Sequence, residues 1–426
     1  MSEAAARGSG RALRPEERRT LLVLGLPTFG LALAITIVST YVPTIARQFV
    51  SSTVVIGLII GAEGIAAILI PIGVGTWSDR VKSRFGGRLP FVVAGGPVAA
   101  LALMAMGFAG SIAAVVAAVA VFFAAYFVAY GPYRSLYPDL LADEIEGRAQ
   151  SSQAVARGLG TLIAVGGGGA LLAIAQIIPF AAAAALLAVC LAAFAVLLMR
   201  QGVPGQGSRS QGSRSHQTVR GVAREVLGLL REHPKLRAFL LANSLWELTL
   251  AVIKTFVVLW ITVGLHKSLS LASGAIGATA FLILIAAAFA GKLADRHGRE
   301  RVLQLALWCW GLGMFVPVLV TTPAALAAIV PAMAFGGGVT MALPYALLAP
   351  MMPQREHGTM TGLYSVSRGI GIVLGPLLAG TAIQLTRGLL TSTDGYGAMW
   401  FVAAVATLAS IPALRAATRE ARAIRA

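Results

Sequence analysis

Twelve separate stretches of this chain are apolar over about 18 residues or more, and that pattern leaves little freedom in what it can fold into. A backbone inside lipid finds no water, so each such stretch must satisfy its own N–H and C=O groups, which a single segment does only as a helix. Spans are expected near 20–46, 52–77, 91–110, 112–133, 152–175, 179–199, 236–264, 270–293, 301–321, 324–347, 361–386 and 396–415. An all-α membrane protein with twelve transmembrane helices follows. Only 12% of the 426 residues are charged, about half the share of a soluble domain, so much of the surface is expected to face the lipid bilayer.

The net charge of +17 would suit a nucleic-acid partner if the basic residues shared one soluble face. They do not. One set of alternate loops, with both tails, holds Arg80, Lys82, Arg84, Arg88, Arg134, Arg148, the basic segment from Arg200 to Arg237, Lys292, Arg296 and Arg355, whereas the other set holds only Arg47, Lys267 and Arg387. Short basic loops stay on the cytoplasmic side, so both termini are expected there, in a multi-pass protein of the cytoplasmic membrane with no nucleic-acid partner. No cleavable signal peptide is expected, because the first apolar run is long enough to span. Cys190 and Cys309 both fall within apolar runs and suggest no disulfide framework.

Residues 201–220, rich in Gly, Ser, Gln and Arg, are too polar to pack and read as part of a flexible linker over 200–235. It separates an N-terminal six-helix bundle, 1–199, from a C-terminal one, 236–426. The halves echo each other. Gly75-Thr-Trp-Ser-Asp79-Arg80 recurs as Gly291-Lys-Leu-Ala-Asp295-Arg296, Pro132-Tyr133 as Pro344-Tyr345, and Val155-Ala-Arg157-Gly-Leu-Gly160 as Val366-Ser-Arg368-Gly-Ile-Gly371. Three matches in one order at nearly one offset imply a duplicated six-helix unit.

The form Gly291 to Arg299 resembles the signature of the major facilitator superfamily. The longer form, Gly75-Thr-Trp-Ser-Asp-Arg-Val-Lys-Ser-Arg-Phe-Gly-Gly-Arg-Leu-Pro-Phe91, and the run Pro132-Tyr-Arg-Ser-Leu-Tyr-Pro-Asp-Leu140 resemble the glycoside–pentoside–hexuronide cation symporters and the related sucrose–proton symporters. Gly75, Arg84, Arg88, Arg134 and Asp139 carry that cytoplasmic motif. The resemblance implies two six-helix bundles related by a pseudo-two-fold axis, a cavity lined by spans one, four, seven and ten, and alternating access to it. It departs from the sodium-coupled members at Ala66 and Ile70, which stand where those proteins carry two acids before a proline, here Pro71. Neither can bind a cation, which points to a proton as the coupling ion.

Few charges fall well inside spans: Glu63, Glu247, Lys254, Arg157 and Arg368. A charge at bilayer depth costs about 2.5–3.5 kcal/mol on insertion scales, so such a group faces a cavity, pairs or is neutral. Glu247 and Lys254 lie two helical turns apart on one stripe of span seven, with Asn243 on the same stripe and Trp246 and Thr255 nearby. A polar stripe with a Trp suits a sugar or another polyhydroxylated ligand; the alternative is that the two charges only join helices. Glu63 stands alone in an apolar span, where desolvation favours its neutral form, as suits a proton carrier. A permanently protonated, hydrogen-bonded Glu63 is the other reading.

Given the packing the resemblance implies, Asp79 and Arg368 are expected to form one cytoplasmic latch and Asp295 and Arg157 another, with Arg80 and Arg296 beside them. The alternative pairs each Arg within its own half, for example Arg157 with Asp143 or Glu144. Gly166 to Gly169 and Gly336 to Gly338 read as sites of close helix approach. No metal site, cofactor, nucleophile–base pair or G-x-x-x-x-G-K-[ST] motif is visible, so an enzyme is disfavoured and an ion gradient is the expected energy source. The leading expectation is a monomeric, proton-coupled transporter of a sugar or glycoside. Its rivals are a proton-driven exporter of a drug or hydrophobic metabolite, and a receptor or scaffold that carries no flux.

Overall fold

The structure, a computed structural model, describes residues 14–78, 88–140, 146–200, 233–344, 347 and 357–423. Twelve of its helices are long and apolar enough to cross a membrane, and among the described residues there is no strand. We number the long helices in chain order: α1 Pro15–Phe49, α2 Thr53–Ser78, α3 Leu89–Gly107, α4 Ile112–Leu140, α5 Glu146–Ile174, α6 Ile177–Arg200, α7 Pro234–Leu259, α8 Leu269–His297, α9 Arg299–Gly313, α10 Pro323–Ala342, α11 His357–Thr386 and α12 Ala398–Ala423. The chain is thus a multi-pass membrane protein.

Local sequence sets several of these limits. Pro234 and Pro323 sit in the first turns of α7 and α10, where a missing N–H leaves no bond unmade. Gly298 closes α8 and opens α9 as a one-residue turn at φ 89°, a left-handed conformation that disfavours any side chain. This turn carries the repeated motif, with Asp295 and Arg296 in the last turn of α8. A π turn, Trp260–Gly264, prolongs α7, and a short helix, Val316–Leu319, prolongs α9, so spans seven and nine end close to where their hydropathy ends. Large apolar side chains such as Leu101, Phe108, Phe289 and Leu385 are exposed, as lipid-facing positions should be.

The described chain divides into two compact units, residues 1–38 with 69–213 and residues 39–68 with 214–426. In the first, α3 packs on α4 and α6. Tyr133, of the repeated Pro-Tyr pair, ties α4 to α1: its hydroxyl donates to the Leu24 carbonyl and bonds to Thr28 Oγ1 at 2.6 Å. In the second unit α7 is central and packs on both α11 and α12, while α10 packs on α8 and α9. The core there is built from Phe239, Trp246, Leu303, Leu307, Val339 and Leu414. Also in this unit, the end of α1 and the first part of α2 join the C-terminal helices. Gly57, Gly61 and Gly64 of α2 lie against the α11 backbone at Pro376, Val373 and Gly369.

Candidate functional site

Within the second unit a small cavity of about 40 Å³ is lined by Ser39 from α1, Ile60 and Glu63 from α2, Glu247, Leu250, Ala251, Lys254 and Thr255 from α7, and Arg368 and Ile372 from α11. Four of the five charged side chains that the sequence places inside spans meet here. Two glycine crossings bring them together. Gly64 and Gly369 lie so close that a Cβ on Gly64 would strike the Gly369 carbonyl and one on Gly369 would lie 3.0 Å from the Gly64 carbonyl, and this places Glu63 and Arg368, each one residue before its glycine, at the same crossing. Two residues further on, on the other side of α11, a Cβ on Gly371 would strike the Ser244 carbonyl and come within 2.9 Å of Glu247 Cβ, so α11 rests on the α7 backbone at Glu247.

The result is an ion pair. Arg368 Nε donates to Glu247 Oε1 at 2.7 Å, with the two side chains 36% and 16% exposed. Glu63 is buried at 7% exposure near the middle of its span, and Ser39 Oγ donates to its Oε2 at 2.8 Å. Lys254 is half-buried and lines the same cavity two turns along α7 from Glu247. Thr255 Oγ1 turns back to the Ala251 carbonyl at 2.8 Å, which satisfies it within its own helix.

Asn243 and Trp246 go elsewhere. Asn243 Nδ2 donates to Ser367 Oγ at 2.8 Å, and Trp246 Nε1 donates to Ser410 Oγ at 2.7 Å on α12, with its ring edge-on to Phe239. One residue along a helix is about 100° of rotation. Trp246 therefore points into the C-terminal core while Glu247 faces the cavity. Trp246→Phe is expected to lower stability by about 0.5–1.5 kcal/mol for the lost bond. Thermal denaturation in detergent checks this, and unchanged stability would contradict it.

The repeat has a structural counterpart. A Cβ on Gly160 would lie 2.5 Å from Phe29 O and 3.1 Å from Leu33 N on α1, and Gly371 meets Ser244 O and Leu248 N on α7 in the same way. The two contacted sites are 215 residues apart in the chain (244 − 29 and 248 − 33). In that register Ala32 stands where Glu247 stands. Arg157, three residues before Gly160 as Arg368 is before Gly371, is thus given no carboxylate at the matching place, and its side chain is exposed. Among the described residues, the pair has no counterpart at Arg157.

Of the expected latch residues, Asp295 and Arg296 are exposed at the end of α8, and Arg368 is engaged by Glu247. Asp79, Arg80, Arg84, Asp143, Glu144 and nearly all of the linker 200–235 lie outside the described residues. Gly75 lies in the last turn of α2 and Asp139 in that of α4; Arg88 precedes the first turn of α3, and Arg134 is exposed with its guanidinium 5.7 Å from the Tyr130 ring centre. No group of three or more potential metal ligands occurs among the described residues.

A cavity at the middle of apolar helices, walled by four ionisable side chains, is the kind of site a transporter fold builds. Comparison with known proteins agrees. Residues 247–425 match the model of the Major Facilitator Superfamily. Among solved structures, a bacterial homologue of the human lysosomal transporter Spinster, in an inward-facing and unoccupied conformation, superposes with a TM-score of 0.77 at 14% identity, covering 96% of this chain and 98% of that one. The nucleoside transporter NupG gives a TM-score of 0.71 at 14% identity over 93% of this chain and 98% of its own. A D-xylose–proton symporter gives 0.68 at 14% over 92% and 96%. By sequence, Multidrug resistance protein 3 of Bacillus subtilis (strain 168) is 28% identical over 88 residues, 21% of this chain and 17% of that protein. An uncharacterised transporter of the major facilitator type from Mycobacterium tuberculosis (strain H37Rv) is 35% identical over 91 residues, 21% of this chain and 13% of its own length. The chain therefore shares the fold of these solved structures, and residues 247–425 carry the sequence pattern of the Major Facilitator Superfamily.

Proposed function

We propose that the protein is a secondary active transporter that moves a small polar solute across the cytoplasmic membrane by alternating access, in symport with a proton, as a monomer with both termini in the cytoplasm. The observation that carries this reading is Glu63: a carboxyl buried at mid-span, bonded to a serine hydroxyl, on the wall of the cavity that also holds the Glu247–Arg368 pair. A proton-carrying group set on the wall of the cavity is what proton coupling needs. The D-xylose–proton symporter among the superposed structures supports a sugar-like solute and this coupling, as does the longer motif Gly75 to Phe91. The test is Glu63→Gln in reconstituted full-length protein. Solute counterflow is expected to persist within about twofold of wild type while uphill accumulation driven by a pH gradient falls to background. Full accumulation by the variant would remove Glu63 from the mechanism.

A second reading has its own support. The 88-residue match to a multidrug resistance protein favours export in exchange for protons. Direction separates the two: uptake acidifies the compartment that gains solute, whereas exchange makes it more alkaline.

A further inference from the structure

The charges in the cavity narrow the solute further, and this step rests on the proton-coupled reading above. Glu247 and Arg368 neutralise one another at 2.7 Å. That leaves Glu63 and Lys254, two cavity-lining groups of opposite charge. Among the described residues none forms an ion pair with the Lys254 ammonium. The charged groups that face Glu63 are Glu247 and Lys254 from α7 and Arg368 from α11; α1 contributes the Ser39 hydroxyl, and the hydroxyl of its Tyr41 is engaged with Ser273. We infer that the solute is a small monocarboxylate whose anionic group is held by Lys254, and that it travels with one proton carried on Glu63.

The inference follows from counting charge in a low-dielectric space. With Glu63 ionised, the four groups sum to zero and the cavity has no uncompensated charge to offer. A proton on Glu63 leaves Lys254 as one unbalanced cation. An anion then restores neutrality, so protonation of Glu63 and binding of the anion favour each other. A neutral solute would leave the loaded cavity at one positive charge, a cationic one would leave it at two, and a dianion would leave it at one negative charge. Only the monoanion leaves the loaded cavity as neutral as the empty one, which is the condition for returning across the low-dielectric membrane in either state. The cycle is then electroneutral: one proton and one anion cross together.

The experiment uses the full chain in liposomes loaded with a pH-sensing dye. Gluconate, quinate and galacturonate are added in turn, then their neutral counterparts glucose, inositol and galactose. At least one acid is expected to acidify the lumen and no neutral partner to do so, at a rate unchanged by a valinomycin-imposed potential. For the active acid, Lys254→Met should raise the half-saturating concentration about tenfold to a hundredfold, and Lys254→Arg, which keeps the charge, should recover most of that loss. Acidification by a neutral sugar and by no acid would overturn the monocarboxylate and leave proton coupling standing. Silence from both sets would overturn the coupling as well. A rate that follows the imposed potential, or unchanged acid affinity in the folded Lys254→Met protein, would overturn the charge balance proposed here.

Discussion

Arg368→Ala is expected to reduce transport to less than about a tenth of wild type while the protein still reaches the membrane. The substitution leaves the Glu247 carboxylate half-buried and unpaired, and a charged hydrogen bond lost in such a place costs about 1.5–3 kcal/mol. Glu247→Gln has the complementary effect and strands the guanidinium. The double variant, with no charge left behind, is expected to be more stable than the worse single, because the larger part of the loss on breaking a pair is the isolated partner. A coupling of about 1.5–3 kcal/mol between the two positions, read from denaturation of all four proteins, is the expected result. Strictly additive losses would mean that the 2.7 Å contact contributes nothing.

The second large effect is steric. Gly371→Val is expected to prevent α11 from settling on α7, because its Cβ would overlap the Ser244 carbonyl and come within 2.8 Å of Leu248 N, both backbone atoms fixed in a helix. Overpacking of this kind costs about 1–3 kcal/mol where the neighbours can yield, and more where they are backbone. Folded, monodisperse protein should fall several-fold in size-exclusion profiles. Gly362→Val, on the same helix with nothing among the described residues within 4 Å of where its Cβ would lie, is the control and should behave as wild type. Equal behaviour of the two variants would contradict the close seam.

Much of this architecture was legible in the chain. Apolar runs give the twelve spans because lipid forces hydropathy and helix to coincide, and the rarity of charge at depth picks out Glu63, Glu247, Lys254, Arg157 and Arg368, of which Arg157 does not join the cavity. Two things were not legible. The partner of Arg368 lies 121 residues away on another helix, and no periodicity reports on contacts between helices. The asymmetry of the repeats is the other: Ala32 stands in the first half where Glu247 stands in the second, while Asp79, the expected latch partner of Arg368, lies outside the described residues. The repeated R-G-x-G carries a usable signal: its second glycine seats α5 on α1 and α11 on α7, so aligning α1 with α7 exposes that asymmetry. Trp246 lies near the polar stripe of α7 in sequence but does not share its face, because successive residues on a helix point about 100° apart. Its bond to Ser410 depends on α12, which local sequence does not report.

That the charged wall formed by α7 is the solute's route can be tested without knowing the solute. In a background with Cys190→Ser and Cys309→Ser, single cysteines are placed by Ala251→Cys, Lys254→Cys, Trp246→Cys and Thr249→Cys, in membranes open to reagent from both sides. Ala251 and Lys254 line the cavity, whereas Trp246 bonds Ser410 and Thr249 bonds Thr407 against α12. A charged, water-soluble thiol reagent is expected to modify positions 251 and 254 at least about tenfold faster than 246 and 249, since a thiol reacts as its hydrated thiolate. Equal rates on both faces, or faster reaction at 246 and 249, would show that water and solute pass elsewhere.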